Sequence, residues 1–329
     1  MKDFCVVGSG VSGSTIASLL SKKYSVEVIE KAKGLGGRAS NKRYKKSMSF
    51  DYGVQYISPK NKDFKKFASK IIKKNYLKIW AGNHFDLTLE KKRDNKLIGP
   101  IGNNDICKYL LKKIKVNFIS NVKSIKFINN YWKITLINNK VLFFKNLILT
   151  CPYPQVKVLA KNYLNNKIYN LNIKMEPNIT VMTVYKGCFS KDISSIKFID
   201  KMLGWAANEN SKERFISKST LLTIQANLKW SKKYINKYKN AKQKITALII
   251  KRFALLIGLD SRKFKHSRIH GWKYAYNLKP SKIKSYWSAK YNFGVCGDWF
   301  LGSNVEHAWL SANDLYSKLK KTRPNKWTG

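Results

Sequence analysis

Three glycines near the amino terminus, Gly8, Gly10 and Gly13, have the GxGxxG spacing of a turn that binds phosphate groups. Gly8 permits a tight turn out of a strand, Gly10 lets the backbone approach a pyrophosphate, and Gly13 allows close helix packing. The free N–H groups at the start of the following helix, around Val11 and Ser12, face an anion together with the positive end of the helix dipole. The spacing predicts a dinucleotide site.

An acidic residue and a second glycine cluster follow the glycine turn along the chain. Glu30 lies 22 residues after Gly8, at the end of an apolar run, and is followed by Lys31. A carboxylate at this distance accepts hydrogen bonds from a ribose diol and disfavours a ribose 2′-phosphate of like charge. The chain then reads Gly36-Gly37-Arg38; glycine allows close backbone contact with a cofactor, and the guanidinium offsets phosphate charge. This amino-terminal pattern leaves NAD and FAD both open.

The elements that position these residues are predicted from hydrophobic patterning. A strand over residues 4–7, a helix over 14–22 and a strand over 25–29 form a βαβ unit. Strands between residues 116 and 149, separated by Asn-Asn turns, indicate an inserted three-stranded meander that returns the chain to a parallel sheet. Later strands at residues 179–185, 202–207 and 219–227 favour a separate antiparallel sheet. Long helices are predicted over residues 235–257 and 305–320.

These elements predict an α/β fold with two domains. A Rossmann-type FAD-binding domain with a parallel sheet and the inserted meander takes residues 1–75, 100–165 and 285–329. An α+β substrate domain with an antiparallel sheet takes residues 76–99 and 166–284, in a p-hydroxybenzoate-hydroxylase-like arrangement. The length of 329 residues agrees with about two domains.

The charge balance is strongly basic, with Lys+Arg 65 against Asp+Glu 18, a formal net charge of +47. Such a balance points to a nucleic-acid or anionic-membrane partner. Against that interpretation, only 8 of the basic residues are Arg, which is preferred for bidentate phosphate contacts, and the lysines are spread along the whole chain. Compositional drift is therefore the favoured explanation, and a basic polyanion-binding module is the alternative.

Cysteine and histidine usage indicates neither disulfides nor a metal. The 5 cysteines (Cys5, Cys107, Cys151, Cys188 and Cys296) are odd in number, far apart and without a CxxC pair. The 4 histidines show no metal-ligand spacing. Residues 1–3 lead directly into a strand, and no apolar run approaches the ~18–20 residues needed to span a bilayer. We expect a cytoplasmic protein without a transmembrane segment, either a monomer or a dimer.

The set of motifs resembles the renalase-like branch of the FAD-dependent amine-oxidase-type flavoproteins. Besides the two glycine motifs, further motifs occur in the family's order: residues 50–56 (FDYGVQY), 151–155 (CPYPQ), 205–208 (WAAN), 226–231 (ANLKWS), 270–275 (HGWKYA) and 297–299 (GDW). The resemblance covers nearly the whole chain. This sequence departs from the family pattern at Tyr52, where His is usual, at His307, where Gly is usual, and near Ala312, where Gly is frequent.

The resemblance implies roles around a non-covalent FAD. Gly297 and Asp298 follow a late strand, and Asp298 would bind the ribityl or pyrophosphate portion. The residues implied nearer the two ends of the cofactor are Val122 at the adenine side, Val305 and Glu306 at the start of a helix aimed at the flavin pyrimidine, and Asp51, Gly53 and Gln55 near the isoalloxazine. A helix amino terminus there would stabilise the anion that forms when the flavin accepts a hydride.

The reacting face is implied to lie between the two domains. Gln55 and Tyr56 would offer hydrogen bonds and an aromatic wall, and Trp272 would lie on the substrate side, where Trp205, Gln225, Trp230 and Tyr274 are further candidates. The chain has no second GxGxxG unit and no CxxC, so a small-molecule substrate must reach the flavin itself. The resemblance implies hydride transfer from an aberrant dihydronicotinamide isomer of NAD(P)H, with O2 as acceptor. Alternatives are a flavin amine oxidase or desaturase of the same superfamily.

Overall fold

The computed structural model describes residues 1–45, 47–86, 96–187, 189–190 and 192–322, so Cys188 lies outside the described residues. The strands are, in chain order, β1 (Lys2–Val7), β2 (Val26–Ile29), β3 (Asn41–Arg43), β4 (Ser49–Asp51), β5 (Lys78–Ile79), β6 (Asn83–Asp86), β7 (Leu97–Ile98), β8 (Lys115–Asn117), β9 (Val122–Ile128), β10 (Tyr131–Leu136), β11 (Val141–Leu149), β12 (Met175–Tyr185), β13 (Ile193–Lys197), β14 (Leu203–Asn208), β15 (Thr220–Ala226), β16 (Phe264–Asn277), β17 (Tyr286–Ser288) and β18 (Phe293–Val295). The α-helices are α1 (Val11–Leu20), α2 (Lys62–Ile72), α3 (Asp105–Leu111), α4 (Tyr153–Ala160), α5 (Asn166–Tyr169), α6 (Leu228–Tyr234), α7 (Lys242–Leu256) and α8 (Val305–Thr322).

The first sheet has the strand order β17-β18-β11-β1-β2-β8, and β18, β11, β1, β2 and β8 run parallel. Helices α1 and α8 cover one face, where Ile16 and Leu20 pack with Leu315. The meander strands β9 and β10 extend from β11. Because α1 follows β1 directly, the positive end of its dipole lies at the carboxyl edge of the parallel strands.

Strand β11 links the meander to the parallel sheet as one continuous element. The sequence predicts two segments, 140–144 and 147–150, but the strand runs unbroken from Val141 to Leu149. Its first half pairs with β10 and its second half with β1. The strand continues across the polar residue Asn146, whose buried side-chain amide donates to the carbonyl of Asp3 at 2.8 Å.

The second sheet has the order β16-β12-β15-β14-β13-β6 and is antiparallel except for β13 with β6. Helices α6 and α7 cover one face of this sheet. The predicted long helix over 235–257 is wrong at its start, since α7 begins only at Lys242. The break lets Tyr238 pack on Gly271 of β16, where a Cβ would lie 2.4 Å from the tyrosine ring.

The predicted fold class is confirmed: a parallel Rossmann-type sheet with an inserted meander is joined to a second, antiparallel sheet. The residue boundaries of the two domains stay a prediction. Every helix in the described ranges is too short or too polar to cross a bilayer. Phe50 of β4 packs against Met182 and Val184 of β12 and Leu221 of β15, which brings the candidate residues after β4 next to the second sheet.

Candidate functional site

The amino-terminal turn has the geometry that its glycines predict. Gly8 has φ +106°, and a Cβ on Gly13 would lie 2.0 Å from the carbonyl oxygen of Gly8. Side chains at these two positions would force the turn open. At Gly10 a Cβ would meet only the carbonyl oxygen of Gly36, at 3.8 Å. The turn is therefore tight on its inner side and open above Gly10, where a pyrophosphate can approach the backbone.

The first residues of α1 direct their side chains inward. Val11 is buried among apolar residues of α2, α3 and α8. Ser12 is buried and donates its hydroxyl to the Sγ atom of Cys296 at 3.1 Å, which ties the helix to the residue before Gly297. Only backbone N–H groups of this turn are left to contact a ligand, as anion binding at a helix terminus requires.

Glu30 is held against the glycine turn by three hydrogen bonds. One carboxylate oxygen accepts from the backbone N–H of Ser9 at 2.9 Å and from the Ser9 hydroxyl at 2.7 Å, and the other accepts from the N–H of Ala32 at 2.8 Å. A carboxylate has about four lone-pair sites, so it can still accept from a ribose diol. Lys31 next to it is exposed. Sequence reasoning did not single out Ser9, although it is the residue that fixes this carboxylate.

The second glycine cluster lies directly on the first. Gly36 donates its N–H to the carbonyl of Ser9 at 3.0 Å, and Gly10 and Gly36 form an isolated parallel bridge. Gly37 has φ +52°, and a Cβ there would lie 3.5 Å from the Cα of Gly10. The two glycine stretches, which α1 and β2 separate along the chain, thus form one backbone surface, in which Gly36 is buried, Gly10 is half-buried and Gly37 is exposed.

Arg38 and Asp298 contact each other at the end of this surface. Arg38 donates to the Asp298 carboxylate at 2.8 Å through one nitrogen and makes a second hydrogen bond through the other. It also donates to the carbonyl of Ala275 in β16 at 2.9 Å. Gly297, before Asp298, donates its N–H to the hydroxyl of Ser311 in α8 at 3.0 Å. The cation and the anion predicted to contact the cofactor therefore neutralise one another in this structure.

Asp51, which is predicted to lie near the isoalloxazine, has its carboxylate in a buried ionic cluster. Its carboxylate is fully buried and accepts from Lys212 Nζ at 2.8 Å and from Arg214. Burial alone would raise the pKa of Asp51, but the charges of Arg214 and Lys212 outweigh it and lower the pKa. The other carboxylate oxygen accepts from the N–H of Asn103 at 3.1 Å. The Asp51 side chain therefore links β4 to the loop before α3 and to the segment that follows β14 in the second sheet.

Glu209 completes this buried ionic cluster. It lies 2.9 Å from Lys212 Nζ and accepts from the hydroxyl of Thr223 at 2.6 Å. Burial raises the pKa of Glu209, with the Asp51 charge adding to the rise and Lys212 and Arg214 opposing it. Sequence reasoning missed these three partners of Asp51 because they lie more than 150 residues away along the chain. Ser211-Lys212 matches the family pattern after the motif at 205–208, whereas Glu209 and Arg214 lie in an ordinary polar run.

Gly53 forms a closely packed junction between the glycine surface and the second sheet. A Cβ on Gly53 would lie 2.0 Å from the carbonyl oxygen of Arg38 and 3.1 Å from the indole of Trp272. Its own carbonyl accepts from Gln225 at 2.9 Å. Gln55 donates its amide N–H to the carbonyl of Asp51, whereas its Oε1 is buried without a hydrogen-bond partner. A buried unpaired acceptor marks a position where a ligand can donate.

Aromatic side chains surround this junction. Trp272 donates its indole N–H to the carbonyl of Tyr52 at 2.8 Å, and the two rings stack at 4.9 Å. Tyr56 packs on Trp205 at 5.6 Å, and the indole N–H of Trp205 is buried without a partner. Trp230, another candidate, is a residue of α6 and packs in the core on the helix-covered face of the second sheet. Trp205 and Gln55 therefore leave one free donor and one free acceptor in this region.

Helix α8 begins near the same region, but its first side chains have structural contacts. Val305 is buried with α2, and Glu306 accepts from the backbone N–H groups of Lys60 at 2.7 Å and Asn61 at 2.9 Å. His307 follows, with a buried Nδ1 that has no partner. Burial lowers the pKa of His307, and the carboxylates of Glu306 and Asp298 oppose this. Val122, at the start of β9, is half-buried against the meander core.

Comparisons with known proteins agree with this geometry. The sequence model of the NAD(P)-binding Rossmann-like domain matches residues 6–71. Renalase of Mus musculus is 28% identical over 176 residues, which cover 50% of this chain and 51% of renalase. The chain is thus similar to renalase over about half of its length. The predicted resemblance is thereby confirmed, although the match spans about half the length of that relative.

Solved structures show the same fold over nearly the whole chain. Cyclohexylamine oxidase from Brevibacterium oxydans has a TM-score of 0.71 at 8% identity and covers 98% of this chain and 100% of its own. A triple mutant of putrescine oxidase has a TM-score of 0.71 at 11% identity, covering 97% of this chain and 99% of its own. At such identities the likeness concerns the fold alone.

Proposed function

We propose that this protein is an FAD-dependent oxidoreductase. The observation that carries the proposal is the joining of the two glycine stretches, at Gly10 and Gly36, into one backbone surface beside Glu30. That surface runs to Gly53 and to the unpaired Oε1 of Gln55, next to the second sheet. A cofactor that combines a dinucleotide with a flavin ring would occupy both ends of this surface. A ligand that needs only the glycine turn would leave the end at Gly53 unused.

The residues present fit FAD in distinct ways. The backbone at Gly10 and Gly37 would receive the pyrophosphate, with the N-terminal dipole of α1 supplying positive potential. Glu30 would accept from the adenosine ribose, and Val122 would lie at the adenine side. Arg38 is positioned to contact the phosphates, because its guanidinium keeps donors beyond those that Asp298 accepts.

The ring end would lie between Gly53 and the second sheet. Bound FAD supplies a ring that accepts a hydride from a donor. Gln55 would accept a hydrogen bond through its free Oε1, and Trp205 would donate one through its free indole N–H. Trp272 and Tyr56 would enclose the donor and exclude water, which strengthens these polar contacts. The backbone at Val305 and Glu306 would contribute the positive end of α8, while the Asp51 side chain would only anchor the strand.

The substrate that we propose is a small reduced molecule such as an aberrant dihydronicotinamide isomer of NAD(P)H, with O2 as the electron acceptor. The similarity to renalase supports this choice. The site also offers no residue positioned as a general base next to Gly53 among the described contacts, and a hydride donor of this kind needs no deprotonation.

An amine is the second candidate substrate. The two oxidases with the same fold favour it, since they are named for cyclohexylamine and putrescine. A cationic amine would enter a chain whose formal net charge is +47. Long-range repulsion would slow that encounter and would favour neutral or anionic donors.

A visible spectrum of the purified protein tests the cofactor, and anaerobic mixing tests the substrate. We expect a flavin spectrum, either as isolated or after adding FAD, and bleaching by the 2- or 6-dihydro isomer of NAD(P). A protein that stays colourless with excess FAD would contradict the oxidoreductase proposal. Bleaching by putrescine or cyclohexylamine, and by neither dihydro isomer, would establish the second candidate instead.

A further inference from the structure

A groove crosses the edge strand β16, next to the junction at Gly53 but outside it. Its volume is about 800 Å³, within the range of small-molecule sites. It lies between the β3 strand on one side and α7 on the other, and it opens over β16. We call it the β16 groove and define it by Lys42, Lys242, Thr246, Lys251, Arg268 and His270.

The charge in the β16 groove has one sign. Lys42, Lys242, Lys251 and Arg268 line it, and no carboxylate does so among the described residues. Arg38, Arg214 and Arg252 each pair with an aspartate. Within the described ranges, Arg268 forms no such pair. Four exposed cations that line one groove without a counter-charge create a positive potential that attracts an anion of two or more charges.

The floor of the groove is apolar and aromatic. Met182, Ile250 and Phe264 are buried lining residues, and the ring of Tyr52 lines the groove beside them. Hydroxyl groups of Thr246, Ser261 and Ser267 lie among the cations. A site with an apolar floor and a few polar groups orients a ligand that has an apolar body and a polar end.

His270 adds a neutral hydrogen-bonding group beside these cations. Burial, and then the charge of Lys42, lowers the pKa of His270 to about 4. Its ring contacts those of Tyr52 at 5.0 Å and Trp272 at 4.4 Å. The imidazole is therefore uncharged at neutral pH and can accept a hydrogen bond from a ligand hydroxyl.

We infer that the β16 groove binds a small organic phosphate, with the phosphate on Arg268 and Lys42 and the apolar part on the floor near Tyr52. A phosphate dianion matches several cations, and the guanidinium fork of Arg268 contacts two of its oxygens at once. A long nucleic-acid backbone fits less well, because the described lining residues include a single arginine, Arg268. The inference does not depend on the proposed reaction.

Isothermal titration calorimetry tests this site, with the protein saturated with FAD so that the glycine turn is filled. The probes are phenyl phosphate, inorganic phosphate and a single-stranded oligonucleotide, each at physiological ionic strength. We expect phenyl phosphate to bind at least tenfold more tightly than inorganic phosphate, because only the former contacts the apolar floor. The same titration without FAD separates this result from any failure of flavin binding.

Matched variants locate the binding. The variant Lys42→Gln/Arg268→Gln removes two charges from the groove, and we expect at least a tenfold loss of affinity for phenyl phosphate. The control Lys65→Gln/Lys66→Gln removes two charges from α2, whose exposed face lines a separate lysine-rich hollow, and should change affinity less than twofold. Equal losses in both variants, no binding of phenyl phosphate, or tighter binding of the oligonucleotide would each overturn the inference.

Discussion

The guanidinium of Arg38 and the carboxylate of Asp298 are joined by two hydrogen bonds across 260 residues of sequence. The pair connects the second glycine cluster to the end of β18. Asp298 is 6% exposed, so its charge is largely shielded from water. Arg38 therefore reduces the negative potential that Asp298 presents to a phosphate group, and Asp298 reduces the positive potential of Arg38.

This pair predicts unequal effects of two substitutions on FAD binding. Arg38→Gln leaves the Asp298 carboxylate without its cation beside the phosphates, and a charged hydrogen bond contributes about 1.5–3 kcal/mol. We expect the dissociation constant for FAD to rise about tenfold to a hundredfold. Asp298→Asn removes the anion and frees Arg38, so its effect should be smaller.

Fluorescence titration with FAD measures both constants. The control is Arg262→Gln, which breaks an exposed ion pair with Asp260 and should leave the affinity unchanged. A larger loss for Asp298→Asn than for Arg38→Gln would contradict the proposed division of roles.

The buried ionic cluster predicts a pH-dependent loss of stability. Lys212 is fully buried between Asp51 and Glu209. Lys212→Met leaves two buried carboxylates with one cation, Arg214, and breaking a buried pair in this way costs about 3–5 kcal/mol in the free energy of unfolding. The pKa of Glu209 is already raised and should rise further without Lys212. The loss should then be largest at pH 7 and smaller at pH 5, where Glu209 is protonated more readily.

Urea unfolding at both pH values tests this prediction. In the unmodified protein, the pKa of Asp51 is lowered, so its stabilisation is present above its unfolded pKa and is lost as the pH falls through the folded value. The control Lys232→Met removes a partly exposed partner of Glu176 and should cost less than about 1 kcal/mol. A loss for Lys212→Met that is the same at pH 5 and pH 7 would argue against the raised pKa of Glu209.

The glycine turn could be predicted from sequence, whereas the ionic cluster could not. Gly8, Gly10 and Gly13 act through local backbone geometry, which their spacing alone encodes. Asp51 was assigned to the flavin by its neighbours in the motif, but its carboxylate pairs with Lys212 and Arg214, 161 and 163 residues away. Such pairing depends on how β4 packs against the segment that follows β14, and no local sequence pattern encodes that packing.

Strand β16 shows a second limit of sequence reasoning. Its Lys, Arg and His residues and Gly271 obscure the alternation of a half-buried strand, and the sequence analysis assigned no strand there. The strand is held through its long pairing with β12. Its motif at 270–275 was nevertheless recognised, because Trp272 and its neighbours match the family pattern rather than a periodicity.

His270 should titrate far below an ordinary histidine. Burial and then the Lys42 charge lower its pKa from 6.5 to about 4. A lowered histidine pKa means that the folded state disfavours the proton, so its contribution to stability is complete above pH 6.5 and is lost as the pH falls towards 4. NMR titration of the ring protons should give this pKa directly, and Lys42→Gln should raise it. The control Lys65→Gln should not, and an equal rise in both variants would indicate a general effect of net charge.

Trp272 should affect the substrate more than the cofactor. Trp272→Phe keeps an aromatic wall but removes the indole hydrogen bond to the Tyr52 carbonyl, at a cost of about 1 kcal/mol in stability. We expect FAD affinity to change less than twofold, whereas KM for the reductive donor should rise severalfold, because the ring borders Gly53 on the side that we propose faces the substrate. Anaerobic flavin bleaching at several donor concentrations measures this, and Trp230→Phe, which changes a core residue of α6, is the matched control. A change in KM of equal size in the control would mean that Trp272 acts only through packing.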